Sequence, residues 1–167
     1  MKGETVIAVA GSHGKTTTTS LASCLLLNAG KHPTVAVGGV VRNIDANAAL
    51  GGGEFFVAEA DESDGSFLYY EPTYSIITNI DREHLDYYQT FERVAQAFTR
   101  FVQQTKPAGC VFCCDDDIRL REIVTAHAPR YVLYGLQPRA HIYATNVTLQ
   151  GLRSEFDCYL RGTHVGR

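Results

Sequence analysis

The sequence predicts an α/β fold: a mostly parallel, doubly wound sheet of the P-loop type with a C-terminal antiparallel β-hairpin. Short β-branched runs alternate with helix-length segments between Thr5 and Tyr134, as in a sheet whose strands are joined by crossover helices. The first run, Val6-Ile7-Ala8-Val9-Ala10, breaks into a glycine-flanked turn that leads directly into a helix. Beyond Pro138 the pattern changes to apolar/polar alternation on either side of a short polar turn, which reads as a hairpin.

Taken in order, Thr5 to Ala10 is a first strand and Lys15 to Ala29 a helix stopped by Gly30, with Leu21 and Leu25 on its buried face. Thr34 to Val37 is a short second strand. The Gly- and Asn-rich stretch from Gly38 to Gly53 reads as a connection with at most a short element of its own. Glu54 to Ala60 and Thr73 to Asn79 are the third and fourth strands, and Phe91 to Gln104 is a helix. Gly109 to Cys114, a helix over Asp116 to His127, and a strand over Arg130 to Tyr134 complete the parallel part. Ile142 to Leu149 and Glu155 to Leu160 form the hairpin, an appendage too small to be a separate domain.

A chain of 167 residues is long enough for one hydrophobic core, so a single domain is expected. Its net charge of -3 and the lack of a long Lys/Arg run argue against binding to nucleic acid or anionic membranes. No apolar stretch has the length of a membrane span and no signal peptide is visible, so the expected location is the cytoplasm. The five cysteines lie inside apolar runs, which suits packed thiols in a reducing compartment. Cys110 and Cys113 are formally a C-x-x-C pair, but alternation along a strand sends them to opposite faces, where they cannot share a metal.

The chemistry is concentrated at three strand ends, where ligands bind in open α/β sheets. Gly11-Ser12-His13-Gly14-Lys15-Thr16-Thr17 has the layout of a phosphate-binding loop. Glycines let the backbone N–H groups turn inward, the helix N-terminus adds partial positive charge, Lys15 can reach outer phosphates, and Thr16 offers a hydroxyl to Mg²⁺. The plainer alternative is an exposed strand-turn-helix capped by Ser12. Against the common Gly-x-x-x-x-Gly-Lys-Ser/Thr pattern the loop is two residues shorter, so generic nucleotide hydrolases fit poorly.

The second end is Phe55-Phe56-Val57-Ala58-Glu59-Ala60-Asp61-Glu62-Ser63-Asp64, where an apolar strand runs into four carboxylates. An acid closing a strand beside a phosphate loop is placed to hold Mg²⁺, and Glu59 is the candidate. The third end, Thr78-Asn79-Ile80-Asp81-Arg82-Glu83-His84-Leu85-Asp86, carries His84 as a further candidate ligand. His13 reads as shaped by the turn. Tyr69, Tyr70, Tyr87 and Tyr88 can border a pocket or simply pack.

Together these three segments, in this order, resemble the Mur ligase family over about Thr5 to Tyr134, and specifically its central, ATP-binding domain. The Glu-Ala-Asp-Glu-Ser-Asp wording resembles the alanine-adding member. The resemblance implies an ATP-dependent ligase of peptidoglycan precursor synthesis that joins L-alanine to UDP-N-acetylmuramate through an acyl phosphate. It implies catalytic roles for Lys15, Glu59 and His84, and nucleotide binding by Gly11, Ser12, His13, Gly14, Lys15, Thr16 and Thr17. Thr16 and Glu59 would hold the Mg²⁺ of ATP, and His84 a second Mg²⁺ between the γ-phosphate and the substrate carboxylate.

Some family features are not matched. The helix from Phe91 to Gln104 contains no lysine, so the carbamylated lysine of several members is not carried over. The downstream His-Asn motif that grips adenine is absent. Residues 1–167 are therefore expected to be a central domain truncated near its C-terminal end, with the UDP-binding N-terminal and the C-terminal domains of the same polypeptide missing. Such a piece should hold ATP incompletely and catalyse nothing alone. The alternatives are a tripeptide-recycling member of the family, an autonomous P-loop nucleotide-binding protein and a purely structural α/β module.

Overall fold

The computed structural model describes residues 5–41, 46–151 and 153–167. One sheet of ten strands runs through it in the order β10-β9-β8-β7-β6-β5-β1-β4-β2-β3. The strands are β1 (Thr5–Ala10), β2 (Thr34–Val41), β3 (Ala46–Ala49), β4 (Phe55–Glu59), β5 (Tyr74–Ile77), β6 (Cys110–Cys114), β7 (Tyr131–Gly135), β8 (Ile142–Gln150), β9 (Arg153–Leu160) and β10 (Thr163–Gly166). The helices are α1 (Lys15–Asn28), α2 (Leu85–Tyr88), α3 (Phe91–Gln103) and α4 (Ile118–His127), with a 3-10 turn at Ser66–Tyr69. From β2 to β8 all neighbouring pairs are parallel. The β2–β3, β8–β9 and β9–β10 pairs are antiparallel.

β1 lies between β4 and β5, so the chain leaves β1 toward one half of the sheet and later fills the other. In open α/β sheets ligands bind at such a reversal, outside the carboxyl ends of the strands, and the Gly11–Thr17 loop begins there. The two faces are covered by different helices. Ala8 and Ala10 of β1 join Ile77, Val111, Cys113 and Leu133 in the core under α3 and α4. On the other face Val35 and Val37 pack with Cys24 of α1.

α3 forms where its apolar residues repeat at helical spacing, burying Val94, Phe98, Phe101 and Val102. Thr90 caps it by accepting from the Arg93 N–H, and Asp117 caps α4 by accepting from Leu120 N–H. Phe67 of the 3-10 turn is fully buried, its ring 5.3 Å from that of Phe98 and 5.1 Å from that of Phe101. This contact fixes the acidic loop after β4 onto α3.

α1 departs from the sequence reading. Leu21 and Leu25 are exposed, at 61% and 70%, and the helix buries Thr19 and Ser23 instead. The loop that starts α1 sets its rotation, and small hydroxyl residues can lie close against the sheet. Their O–H groups are satisfied by the carbonyls four residues back, Thr19 on Lys15 and Ser23 on Thr19, each at 2.8 Å.

The stretch expected to be mostly connection is also more ordered, since β2 continues to Val41 and β3 pairs back on it. Residues 42–45 of that stretch lie outside the described residues. The C-terminal hairpin gains a third strand, β10, and joins the main sheet through parallel β7–β8 pairing. All five cysteines are free, and burial pushes the Cys113 thiol well above its ordinary value, as expected of packed thiols. Among the described residues no helix is long and apolar enough to cross a membrane.

Candidate nucleotide and metal site

The loop between β1 and α1 is held by the end of β5. Gly11 has φ +132, and a Cβ there would lie 2.1 Å from Thr78 Oγ1 and 2.9 Å from the Asn79 carbonyl, so only glycine fits. Gly14 takes the left-handed conformation at the start of α1, φ 83, with open space around it. Ser12 N–H donates to the Asn79 carbonyl at 3.1 Å. His13 N–H donates to Asn79 Oδ1 at 2.8 Å, and the His13 carbonyl accepts from Thr78 Oγ1 at 2.6 Å and from Asn79 Nδ2 at 3.0 Å. Ser12 does not cap the helix; its Oγ accepts from the Asp81 N–H at 2.8 Å. The His13 ring sits 3.3 Å from Asp81 Oδ2 at the surface. The Arg82 N–H and then His13 hold the Asp81 carboxyl below its ordinary value.

Lys15 does not extend into solvent as an exposed loop lysine would. Its side chain is only 14% exposed and curls back, donating to the Gly11 carbonyl at 2.8 Å and lying 3.5 Å from the Ser12 carbonyl. Its Nζ is 2.9 Å from both oxygens of Glu62, with the aligned hydrogen bond on Oε1. Glu62 is 1% exposed, and His84 Nε2 stands 3.4 Å from the same Oε1. His84 itself has φ 56 at the start of α2.

The other half of the site joins Thr16 to Glu59. Register pairs Glu59 with Val9 of β1, one strand over and just before the loop. Thr16 Oγ1 lies 2.9 Å and 3.0 Å from the two Glu59 oxygens, and the Gly38 N–H donates to Glu59 Oε2 at 2.7 Å. This hydroxyl–carboxylate pair beside a phosphate loop suits Mg²⁺, which takes one or two protein oxygens and completes its shell with phosphate and water. Among the described residues no group of three or more His, Cys, Asp and Glu side chains is placed to hold a metal ion.

The structure thus brings Lys15, Thr16, Glu59 and His84 to the carboxyl ends of β1, β4 and β5. It separates them into a Thr16–Glu59 pair and a Lys15–Glu62–His84 group. Thr17 is exposed on the first turn of α1. Asp61 is exposed and binds Ser63 within its own loop. Sequence reasoning gave no separate role to Glu62, Thr78 or Asn79. The strand-end position of Thr78 and Asn79 was readable, but the adjacency of β5 to β1 was not.

A cleft of about 320 Å³ beside Glu59 is lined by Phe56, Asp61, Ser66, Tyr69 and Tyr70. A larger hollow of about 720 Å³ lies over α2 and α3, lined by Tyr87, Tyr88, Arg93 and Arg100 among others. It contains no residue of the phosphate loop, so size does not mark the chemical centre here.

Comparison with known proteins bears on the family and the fold. The family model described as the Mur ligase middle domain matches residues 9–165. A protein of Aquifex aeolicus named UDP-N-acetylmuramate–L-alanine ligase is 46% identical over 96% of the chain, and one of Sorangium cellulosum with that name is 45% identical over 96%. The chain spans only 36% and 34% of their lengths. The solved UDP-N-acetylmuramate-alanine ligase of Thermotoga maritima superposes with TM-score 0.81 at 28% identity, over 98% of this chain and 36% of that one. The UDP-N-acetylmuramate:L-alanyl-gamma-D-glutamyl-meso-diaminopimelate ligase of Neisseria meningitides does so with TM-score 0.84 at 25% identity, over 97% and 54%.

Proposed function

The chain belongs to the Mur ligase family as a middle domain, and from that premise we propose that it is the ATP-handling domain of a ligase joining L-alanine to UDP-N-acetylmuramate. The observation that carries this reading is the meeting of Lys15, Thr16, Glu59 and His84 at three adjacent strand ends around a phosphate loop. The reaction takes place in the cytoplasm, which supplies ATP, and serves peptidoglycan precursor synthesis.

In this reading the backbone N–H groups of Gly14 to Thr17 cradle the phosphates, those of Ser12 and His13 being held by Asn79, and Lys15 meets the charge that develops on the γ-phosphoryl oxygens. Thr16 and Glu59 are the residues that would hold the Mg²⁺ of ATP, and His84 a second Mg²⁺. When bound, the metal would supply charge neutralisation on the transferring group. The substrate carboxylate attacks the γ-phosphorus and ADP leaves; the amine then attacks the acyl carbon and phosphate leaves, giving the amide. The sugar nucleotide and the amino acid are bound with parts of the longer protein that correspond to the rest of the relatives' length.

A tripeptide-recycling ligase is the second reading, favoured by the TM-score of 0.84 against 0.81. Backbone likeness follows the fold, whereas substrate choice follows side chains. The 41–46% identity to proteins named for L-alanine therefore carries more weight. The nucleotide assignment is tested by calorimetric titration of Mg-ATP into the full-length protein: Lys15→Ala should weaken binding or cut turnover by about 10²-fold. Binding and turnover within a few-fold of the parent would reject it.

A further inference from the structure

Glu62 is a buried carboxylate that the proposed chemistry does not use. It follows the strand end by three residues, yet is 1% exposed, while Asp61 and Asp64 beside it are exposed. Its carboxylate touches elements from two directions: Lys15 from the loop after β1, at 2.9 Å, and His84 from the segment after β5, at 3.4 Å. Its main chain is fixed as well, the carbonyl accepting from Tyr88 O–H at 2.5 Å and from the Gly65 N–H at 3.1 Å. Tyr88 ends α2, the short helix that His84 begins.

We propose that Glu62 is the positioning residue of this site, a buried carboxylate that holds the Lys15 ammonium and the His84 imidazole toward one common space. The proposal rests on the nucleotide reading above and deepens it. A lysine ammonium has three N–H donors, and here its acceptors are the Gly11 carbonyl, Glu62 and, more distantly, the Ser12 carbonyl at 3.5 Å. Leaving Glu62 would strand a buried charge, which is costly. The exchangeable contact is therefore the long one to Ser12, and Lys15 turns that donor to a phosphate oxygen while Glu62 keeps its stem in place. Because Glu62 is enclosed, it acts through Lys15 and His84 and not as a metal ligand; Glu59, half-buried and beside the Thr16 hydroxyl, has that position.

The test is a double-mutant cycle in the full-length ligase that carries this domain, with Lys15→Ala, Glu62→Gln and the pair. Melting of the nucleotide-free proteins is the first readout. Lys15→Ala should lower Tm by about 5 °C or more by orphaning the carboxylate, and adding Glu62→Gln should recover most of that loss. In turnover, Glu62→Gln alone should lower kcat by about 10- to 100-fold, but by clearly less when Lys15 is already alanine, the loss that remains being the share carried through His84. Glu62→Asp keeps the charge yet is one methylene short, so it should lose kcat while folding normally. The Mg²⁺ requirement of Glu62→Gln should match that of the parent.

Equal costs of Glu62→Gln with and without Lys15, or no recovery of Tm in the pair, would overturn the proposal. A raised Mg²⁺ requirement would also overturn it and make Glu62 a ligand. The melting cycle needs no nucleotide, so it stands apart from the Mg-ATP test: unchanged Mg-ATP binding together with unchanged turnover in Lys15→Ala refutes the nucleotide reading whatever the melting shows.

Discussion

At the residue scale, the division of labour among neighbouring carboxylates follows from burial. Glu59 stands at the strand terminus with its oxygens on Thr16 Oγ1 and the Gly38 N–H, while Glu62 three residues on is enclosed against Lys15. Glu59→Gln keeps the shape but removes the charge a cation needs. Titrating full-length enzyme with Mg²⁺ should show activity requiring about ten-fold more metal, with little change in melting temperature. A titration curve that superposes on that of the parent would exclude Glu59 as the ligand. Lys15, Thr16 and Glu59 could be picked out from the chain because loop spacing and strand alternation are local properties. Glu62 could not: among four acids within six residues, the one that turns inward is chosen by Phe67 and Tyr88, which pin the loop through contacts distant in sequence.

At the scale of elements, the acidic loop is only as well placed as the 3-10 turn beneath it. Phe67, fully buried between Phe98 and Phe101, ties that turn to α3, and its N–H donates to the Asp61 carbonyl at 3.0 Å. Phe67→Ala should cost about 3–5 kcal/mol of stability by urea unfolding. It should also reduce turnover although it touches no reacting group; unchanged turnover in the folded variant would detach the turn from the site. Tyr88 gives a second handle. Burial raises its phenol above the ordinary value, so the folded chain holds that proton more tightly than the unfolded one. The resulting stability is complete below about pH 10 and is lost as the pH rises beyond it. Melting temperature should fall as the pH rises from about 10 to 12, and Tyr88→Phe should flatten part of that fall, the remainder belonging to the other phenols and thiols that burial raises, Tyr134 and Cys113 among them. An identical alkaline slope in Tyr88→Phe would contradict the assignment.

The elements differ in how openly the chain declares them. α3 announces itself by apolar residues at helical spacing and by Thr90 as cap. α1 does not, because apolar and small residues surround it and its rotation is dictated by the loop, which leaves Leu21 and Leu25 outside. β3 and β10 are four-residue strands whose existence depends on partners, and no local pattern encodes the choice of β2 or β9 as neighbour.

At the scale of the molecule, strand order places the chemistry. Because β1 is flanked by β4 and β5, three segments far apart in sequence finish side by side, and the phosphate loop lies where the order reverses. The chain covers 36% and 34% of the length of two alanine ligases it resembles, so the proposal for it is ATP handling, with recognition of both other substrates shared with the rest of a longer protein. Phosphate release is the direct measure of that assignment. Full-length protein carrying this domain, supplied with Mg-ATP and UDP-N-acetylmuramate, should release phosphate when L-alanine is added and scarcely at all with L-alanyl-γ-D-glutamyl-meso-diaminopimelate. The 167-residue chain alone should release none above background. Robust release that needs neither UDP-N-acetylmuramate nor an amine, or release driven by the tripeptide in place of L-alanine, would contradict the account.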